Sequence, residues 1–209
     1  MYCKLPKKRR TLLNMPYHRS SGFTLIELVI VIILLGLLAA AALPRLLSAT
    51  DNAEIATLEG VAGGFSTAVA IAHAQWAADG NSPGAETTVA NKVIINLDGK
   101  TFYMNEYGWP ANVDSSDDSA ANGQTADECK QVFDNILQSS PATTTDSVNR
   151  ANNRYFVSVI NNAGGNVDIV GDICRFELIL SDSETASATH FFDYDLVNGQ
   201  VIISYPDRG

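Results

Sequence analysis

A long apolar stretch near the amino terminus limits what this chain can fold into more than any other feature. Residues 23–43 contain one charged side chain, Glu27, and are otherwise almost entirely apolar or small. A helix of this length spans roughly 31 Å, close to the hydrocarbon thickness of one bilayer. Because a carboxylate inside lipid is costly, Glu27 should have a functional reason to be there. The stretch therefore predicts one membrane-spanning helix that carries a functional acid near its start.

The charge of the chain is unevenly distributed along its length. The first 22 residues hold six basic residues and no acidic one, although the whole chain has a net charge of −9. Past residue 22, 8 basic and 23 acidic residues give a net charge of −15. Basic residues before a membrane helix favour the cytoplasm, so the rest of the chain should lie across the membrane. An acidic body argues against nonspecific binding of nucleic acid, which requires cationic groups.

Two features distinguish the apolar stretch from a cleaved secretory signal. Such signals have a shorter apolar core of about 7 to 15 residues and end in small residues. This stretch is longer and carries Glu27. The alanines at 39–42 nevertheless leave cleavage after them as an alternative.

The segment GFTLIELVIVIILLGLLAAAALP, which begins at Gly22, resembles the amino terminus of type IV pilins and the related pseudopilins. The resemblance implies that a prepilin peptidase cuts between Gly22 and Phe23 on the cytoplasmic side and then methylates the new amino group of Phe23. It also places Glu27 on the family's glutamate, which pairs with the terminal amino group of a neighbouring subunit during assembly. A carboxylate without a partner in lipid would gain a cationic one in the filament.

The resemblance and the sequence pattern together divide the chain into four parts. They are a basic leader that is removed, the transmembrane half of one long helix, its amphipathic half, and a globular β-rich domain with a connecting loop: residues 1–22, 23–43, 44–80 and 81–209. The leader would start at Met1 or Met15. We expect an α+β fold of the pilin type, in which the long helix packs against one small antiparallel sheet.

The long helix should continue past Pro44, although proline removes a backbone donor there. Apolar residues then recur at alternating spacings of three and four, which places them on one helical face. These residues are Ile55, Leu58, Ala62, Phe65, Val69, Ala72 and Trp76. We expect the helix to end near Asp79-Gly80, because glycine adopts the left-handed conformation that caps a helix. The glycines of GVAGG, residues 60–64, should let the sheet or a neighbouring subunit approach this helix closely.

Alternating apolar patterns in the second half of the chain predict strands and two hairpins. The segments are 92–105, 154–161, 172–180 and 189–205. The first segment should turn at Asp98-Gly99 and the last at Asn198-Gly199, because these dipeptides favour hairpin turns. The later strands should form one antiparallel sheet over the apolar face of the long helix. A short helix at about 126–138 is expected between the first hairpin and the later strands.

Two cysteines remain after the implied cleavage, because Cys3 lies in the leader. Cys129 and Cys174 would both lie on the outer side of the membrane, where oxidation is favoured, so we expect a disulfide between them. Two separate free thiols are the alternative. A metal site would need more ligands than these two residues offer.

The acidic pattern DYDLVNG, residues 193–199, is partly similar to a calcium loop. An EF-hand loop requires glycine at its sixth position, and here the glycine comes one residue late. No glutamate follows at the required distance. The pattern therefore favours a hairpin turn over a calcium site.

A second, looser resemblance covers about residues 90–205. The YGWP turn, the ECKQVFDNIL helix and the ICRFEL strand are similar to the pilins of mannose-sensitive haemagglutinin (MSHA) type pili. This resemblance implies a structural subunit, major or minor, of a pilus that attaches cells to surfaces. A type II secretion pseudopilin shares the same amino terminus, although many pseudopilins lack such a disulfide. A membrane-anchored periplasmic binding module or enzyme is a third alternative, and Glu27 next to Gly22-Phe23 argues against it.

The pilin resemblance also implies partners and a location. The partners would be other pilin subunits, prepilin peptidase, the inner membrane and the pilus assembly machinery. No cofactor, metal, nucleic acid or enzymatic activity is expected. The subunit would first cross the inner membrane once, with its carboxyl-terminal domain in the periplasm, and then become part of an extracellular filament.

Overall fold

The computed structural model describes seven parts of the chain: residues 22–84, 93–114, 119–148, 150, 152–165, 170–180 and 189–206. Apart from Gly22, the predicted leader lies outside these residues. The chain forms two compact units that divide between Leu47 and Ser48. The long helix α1, Leu25–Ala78, contributes to both units. The four sequence parts with limits at 22, 43 and 80 stay predictions.

The second half of α1 buries the apolar face that its sequence predicts. The residues of this face, from Ile55 to Trp76, are at most 6% exposed. The helix also ends as expected, since Gly80 has a φ of +84°. The Gly80 N–H donates to the Ala77 carbonyl (3.1 Å), and the Asn81 N–H donates to the Trp76 carbonyl (3.4 Å). Together these bonds form a Schellman motif, which satisfies carbonyls that the helix end would leave without donors.

The glycines at residues 60–64 do not bring a sheet close to the helix, which was one of the two contacts that the sequence predicted for them. A side chain added at Gly60 or Gly63 would meet no atom within 4 Å. One added at Gly64 would lie 3.9 Å from Leu137, which belongs to no strand. These glycines are exposed because the buried face of the helix lies on its other side. Their contact with a neighbouring subunit stays a prediction.

The described strands of the globular unit form two β-sheets. The first has the order β1-β2-β3, formed by Val93–Leu97, Lys100–Met104 and Pro110–Asn112. The second has the order β4-β5-β6-β7-β8, formed by Thr143–Thr144, Tyr155–Gly165, Val170–Leu178, Phe191–Asp195 and Val201–Ser204. Among these described strands, β4 pairs with β5 in parallel and the other pairs are antiparallel. The α+β fold class is confirmed, and the later strands β5 to β8 form one sheet as predicted. The short strands β3 and β4, which the sequence did not predict, extend the first hairpin and the second sheet.

Both predicted hairpins form, but only the first has the turn that its sequence predicts. The two-residue turn forms at Asp98-Gly99, where φ is +50° and +77°, as a turn matched to the strand twist requires. Between β7 and β8 the loop contains residues 196–200 rather than the predicted Asn198-Gly199 alone. The first two of these residues, Leu196 and Val197, are buried. The loop is wider than predicted because it contributes this apolar pair to the core.

The predicted short helix is present as α2, Ala126–Ile136, which ends two residues before its predicted limit. Its first turn is fixed by a capping box. The Glu128 N–H donates to Thr125 Oγ1 (3.2 Å), and the Thr125 N–H donates to Glu128 Oε2 (2.7 Å). These reciprocal bonds satisfy two of the donors that a helix start leaves free.

An aromatic cluster joins α1 to α2 and to the second sheet. The ring of Phe65 on α1 has four aromatic neighbours with centroids 5.3–5.8 Å away: Phe133, Phe176, Phe192 and Tyr194. Tilted and edge-on pairs at such distances are favourable beyond the apolar area that they bury. The core of the globular unit therefore forms around one face of the long helix.

Two tryptophan rings pack against the backbone of glycines in and near the YGWP loop, which connects β2 to β3. Gly108 has a φ of +83°, and a side chain there would lie 2.5 Å from the ring of Trp76. Gly199 has a φ of +66°, and a side chain there would lie 2.4 Å from the ring of Trp109. The Trp109 indole N–H donates to the Val197 carbonyl (3.0 Å). Glycine is needed at both positions because each indole ring packs directly on the backbone.

Two buried tyrosines provide a matched test of this core. The Tyr194 hydroxyl donates to the Pro110 carbonyl (3.0 Å), whereas the Tyr155 hydroxyl is buried without a hydrogen-bond partner. Burial raises the pKa of Tyr155 to about 12 and raises the pKa of Tyr194 well above its ordinary value. Both phenols therefore stay neutral at physiological pH.

Tyr194→Phe should lower the free energy of unfolding by about 1–2 kcal/mol, because a buried carbonyl loses its donor. Tyr155→Phe should leave the free energy unchanged or raise it by up to about 1 kcal/mol, because the lost hydroxyl had no partner. Denaturant unfolding of both variants measures the difference. Equal losses, or a larger loss for Tyr155→Phe, would contradict this assignment of hydrogen bonds.

Candidate functional site

The predicted cleavage junction lies immediately before α1. Gly22 and Phe23 have no regular secondary structure, and α1 begins at Leu25. The Phe23 side chain is 83% exposed, and a side chain at Gly22 would meet no atom within 4 Å. A peptidase could therefore reach this peptide bond in the monomer without unfolding the helix.

A capping box fixes the start of α1. Glu27 Oε2 accepts hydrogen bonds from the Thr24 N–H (3.0 Å) and the Thr24 hydroxyl (2.8 Å). The Glu27 N–H in turn lies 3.3 Å from Thr24 Oγ1. The carboxylate also lies in the first helical turn, where the positive end of the helix dipole favours a negative charge.

Glu27 therefore has hydrogen-bond partners within its own subunit, whereas its pairing with a cationic group in the filament stays a prediction. Its carboxylate accepts two hydrogen bonds from Thr24 before any neighbour arrives. The signal was present in the sequence, because TLIE matches the pattern of Ser or Thr followed three residues later by an acid. Glu27 thus supports the start of the helix and leaves its second oxygen, Oε1, available for another donor.

The first half of α1 exposes an apolar surface that water does not favour. Its large apolar side chains between Phe23 and Leu47 are 45–83% exposed, apart from the half-buried Val29. The most apolar stretch of the helix is entirely unburied. Among the described residues, this is the helix with the length and composition to cross a membrane. Such a surface requires cover from lipid or from other apolar helices.

The predicted disulfide is confirmed and joins α2 to β6. Cys129 and Cys174 are bonded, with Cα atoms 5.6 Å apart. Cys129 is 1% exposed and Cys174 is 2% exposed. The bridge closes a chain segment of 45 residues and lies in the same core as the aromatic cluster. It therefore stabilises the domain and is screened from reagents in the folded protein.

The DYDLVNG segment forms a turn, and its carboxylates are occupied by the protein itself. Asp193 accepts two hydrogen bonds of 2.8 Å from Arg175. Asp195 accepts hydrogen bonds from the N–H groups of Val197 and Gly165, at 2.8 and 2.9 Å. Within the described parts of the chain, no group of three or more His, Cys, Asp or Glu side chains is placed to hold a metal ion.

The structure combines an apolar amino-terminal helix with a capped acid and an α+β domain with a disulfide, an arrangement that suits attachment to a membrane through one helix. Residues 17–43 match the prokaryotic N-terminal methylation motif. The chain is 36% identical over 101 residues to the type IV narrow pilus major component PilA5 of Thermus thermophilus. That alignment covers 48% of this chain and 84% of the Thermus protein. No solved structure matches the chain.

The chain therefore belongs to the type IV pilin family. Pilins are structural subunits, so the family assigns this chain a structural role rather than a catalytic one. The pilin prediction made from the sequence is confirmed at this level.

Proposed function

We propose that this chain is a structural subunit of a type IV pilus of the MSHA type and that it contributes to surface attachment. A prepilin peptidase cuts it between Gly22 and Phe23 and methylates the new amino group. Before assembly, the mature subunit is anchored in the inner membrane with its globular domain in the periplasm. The assembly machinery then transfers it into a filament with other pilin subunits.

The observation that supports this proposal most is the arrangement at the start of α1. An accessible Gly22-Phe23 junction lies directly before an exposed apolar helix, and Glu27 is held in the first turn of that helix. Six basic residues precede the junction, and they favour retention of the leader in the cytoplasm. The disulfide supports a periplasmic location for the domain, because disulfides persist in oxidising compartments.

The globular domain supports the MSHA type over a type II pseudopilin. The three segments that carry the MSHA resemblance meet in one core. Tyr107 and Trp109 of the YGWP loop pack against the cluster that contains both disulfide cysteines. Many pseudopilins lack such a disulfide, and the relative from Thermus is a pilus component.

Cleavage of the leader can be tested by substitutions at Gly22, because they should not change the fold. Gly22→Leu should leave the leader attached, because the family's peptidase accepts only a small side chain there, whereas Gly22→Ala should still be cut. Neither change should disturb the fold, since a side chain at Gly22 meets open space. Intact-mass spectrometry of membrane and sheared-filament fractions should give a mature wild-type chain that begins at N-methylated Phe23. A mature terminus after the alanines at 39–42 would refute the proposal.

A further inference from the structure

A cleft of about 250 Å³ lies at the carboxyl-terminal end of α2. Its apolar lining comes from α1, the β1–β2 hairpin and α2: Ala68, Ile71, Leu97, Phe102, Ile136 and Leu137. Ile71 remains 55% exposed in the monomer. The surface around this residue, called the Ile71 cleft below, has room for a branched aliphatic side chain.

The polar edge of the Ile71 cleft carries a lysine that is fixed in place. Lys100 Nζ donates to the Asn135 carbonyl (2.8 Å) in the last turn of α2, where the helix dipole favours a cation. An ammonium group has three donors, so Lys100 can still bind a carboxylate. The same edge also includes Asp98 and Gln138. A ligand with an apolar tip and an acidic group beside Lys100 would match this edge.

A loop elsewhere on the same domain presents such a tip. Val148 is 74% exposed, and its N–H donates to Asp146 Oδ1 (2.8 Å). The Asp146 N–H donates to Thr144 Oγ1 (3.1 Å), and the Thr145 hydroxyl donates to Asp127 Oδ1 (2.7 Å). These bonds connect residues 144–148, the Val148 loop, to one another and to the first turn of α2. An apolar side chain held outward by a fixed loop loses little entropy on binding.

The helix α2 separates the loop from the cleft within one subunit. The Val148 loop is bonded to Asp127 in the first turn of α2, and the cleft is lined by Ile136 in the last turn. Nine residues of helix at 1.5 Å each separate these turns by roughly 14 Å. Val148 is not among the residues that line its own cleft, so it is available to the cleft of another copy. Such a head-to-tail contact uses two different surfaces and can repeat without closing, as a helical filament requires.

We propose that Val148 of one subunit inserts into the Ile71 cleft of a second copy in the pilus, with Asp146 beside Lys100. The proposal rests on the filament role given above. The charges are complementary, because acids surround the loop at one end of α2 and Lys100 lies at the other. The contact would set how neighbouring globular domains are arranged, separately from the packing of the apolar helices.

Cysteine cross-linking tests this contact in assembled filaments. In a Val148→Cys/Gln138→Cys variant, each subunit carries both halves of the contact, so mild oxidation should give a ladder of covalent oligomers. The pair Val148→Cys/Ile202→Cys is the control, because Ile202 is 55% exposed on β8 and is not part of the cleft. Intact filaments that give no ladder for the first pair, or equal ladders for both pairs, would overturn the proposal.

A charge substitution provides a second test that does not depend on cross-linking. Val148→Asp should reduce the yield of sheared filaments at least about tenfold, because an ionised carboxylate would enter an apolar cleft. Ile202→Asp should retain most of the yield, and both variants should reach the membrane in normal amounts. A wild-type yield for Val148→Asp would overturn the contact but leave the pilin role intact. Absence of the wild-type chain from filaments would refute the pilus role itself, and the contact with it.

Discussion

Removing the Cys129–Cys174 disulfide should lower the free energy of unfolding of the globular domain by about 2–5 kcal/mol. In the chain-entropy model, closing a loop of 45 residues contributes about 4 kcal/mol. The bridge also connects α2 to β6, and its two residues are almost fully buried. Its loss would therefore leave packing alone to hold α2 against the core and would also increase the freedom of the unfolded chain.

The double variant Cys129→Ala/Cys174→Ala measures this effect in the full chain, held in detergent. Guanidinium unfolding can be followed by tryptophan fluorescence, since Trp76 is 3% exposed and reports on the folded core. Cys3→Ala is the matched control, because Cys3 lies in the predicted leader and should not affect the mature domain. A loss below about 1 kcal/mol for the double variant would contradict a stabilising role for the bridge.

Periodic features of this fold were predictable from the sequence. The buried face of α1 was predicted residue by residue, because the 3.6-residue period determines which side chains share a face. The Asp98-Gly99 turn was predictable because few dipeptides accept positive φ at both positions. The disulfide could be predicted from compartment and family, whereas its place between α2 and β6 follows from tertiary packing.

Features that depend on contacts between distant segments were not predictable in the same way. The wide loop between β7 and β8 exists because Leu196 and Val197 pack into the core, and hairpin rules do not include such contacts. The Ile71 cleft brings together parts of α1, the first hairpin and α2, which no local pattern connects. The capping box at Thr24 and Glu27 is different, because its pattern is local and could have been recognised.

Glu27 should be needed for filament assembly and not for membrane insertion, although the structure also gives it a local role. We propose from the family resemblance that its carboxylate pairs with the methylated amino group of Phe23 in a neighbouring subunit. Removing one partner of an ion pair in a low-dielectric place leaves the other charge uncompensated, which costs about 3–5 kcal/mol. A loss of this size would deplete a variant from filaments even where its helix is intact.

Substitutions at Glu27 and Thr24 can separate pairing from capping. Glu27→Gln removes the charge but keeps an oxygen that can accept a hydrogen bond from Thr24. This variant should therefore be cleaved and membrane-bound, yet its amount in filaments should fall at least about tenfold. Thr24→Val keeps the charge and loses the hydroxyl of the capping box, which should weaken the helix start by about 1 kcal/mol and largely preserve assembly. Glu27→Val should match Glu27→Gln in depletion, and Glu27→Asp should be milder because it keeps the charge. Immunoblots of membrane and sheared-filament fractions compare the variants, and wild-type incorporation of Glu27→Gln would exclude a required charge pair.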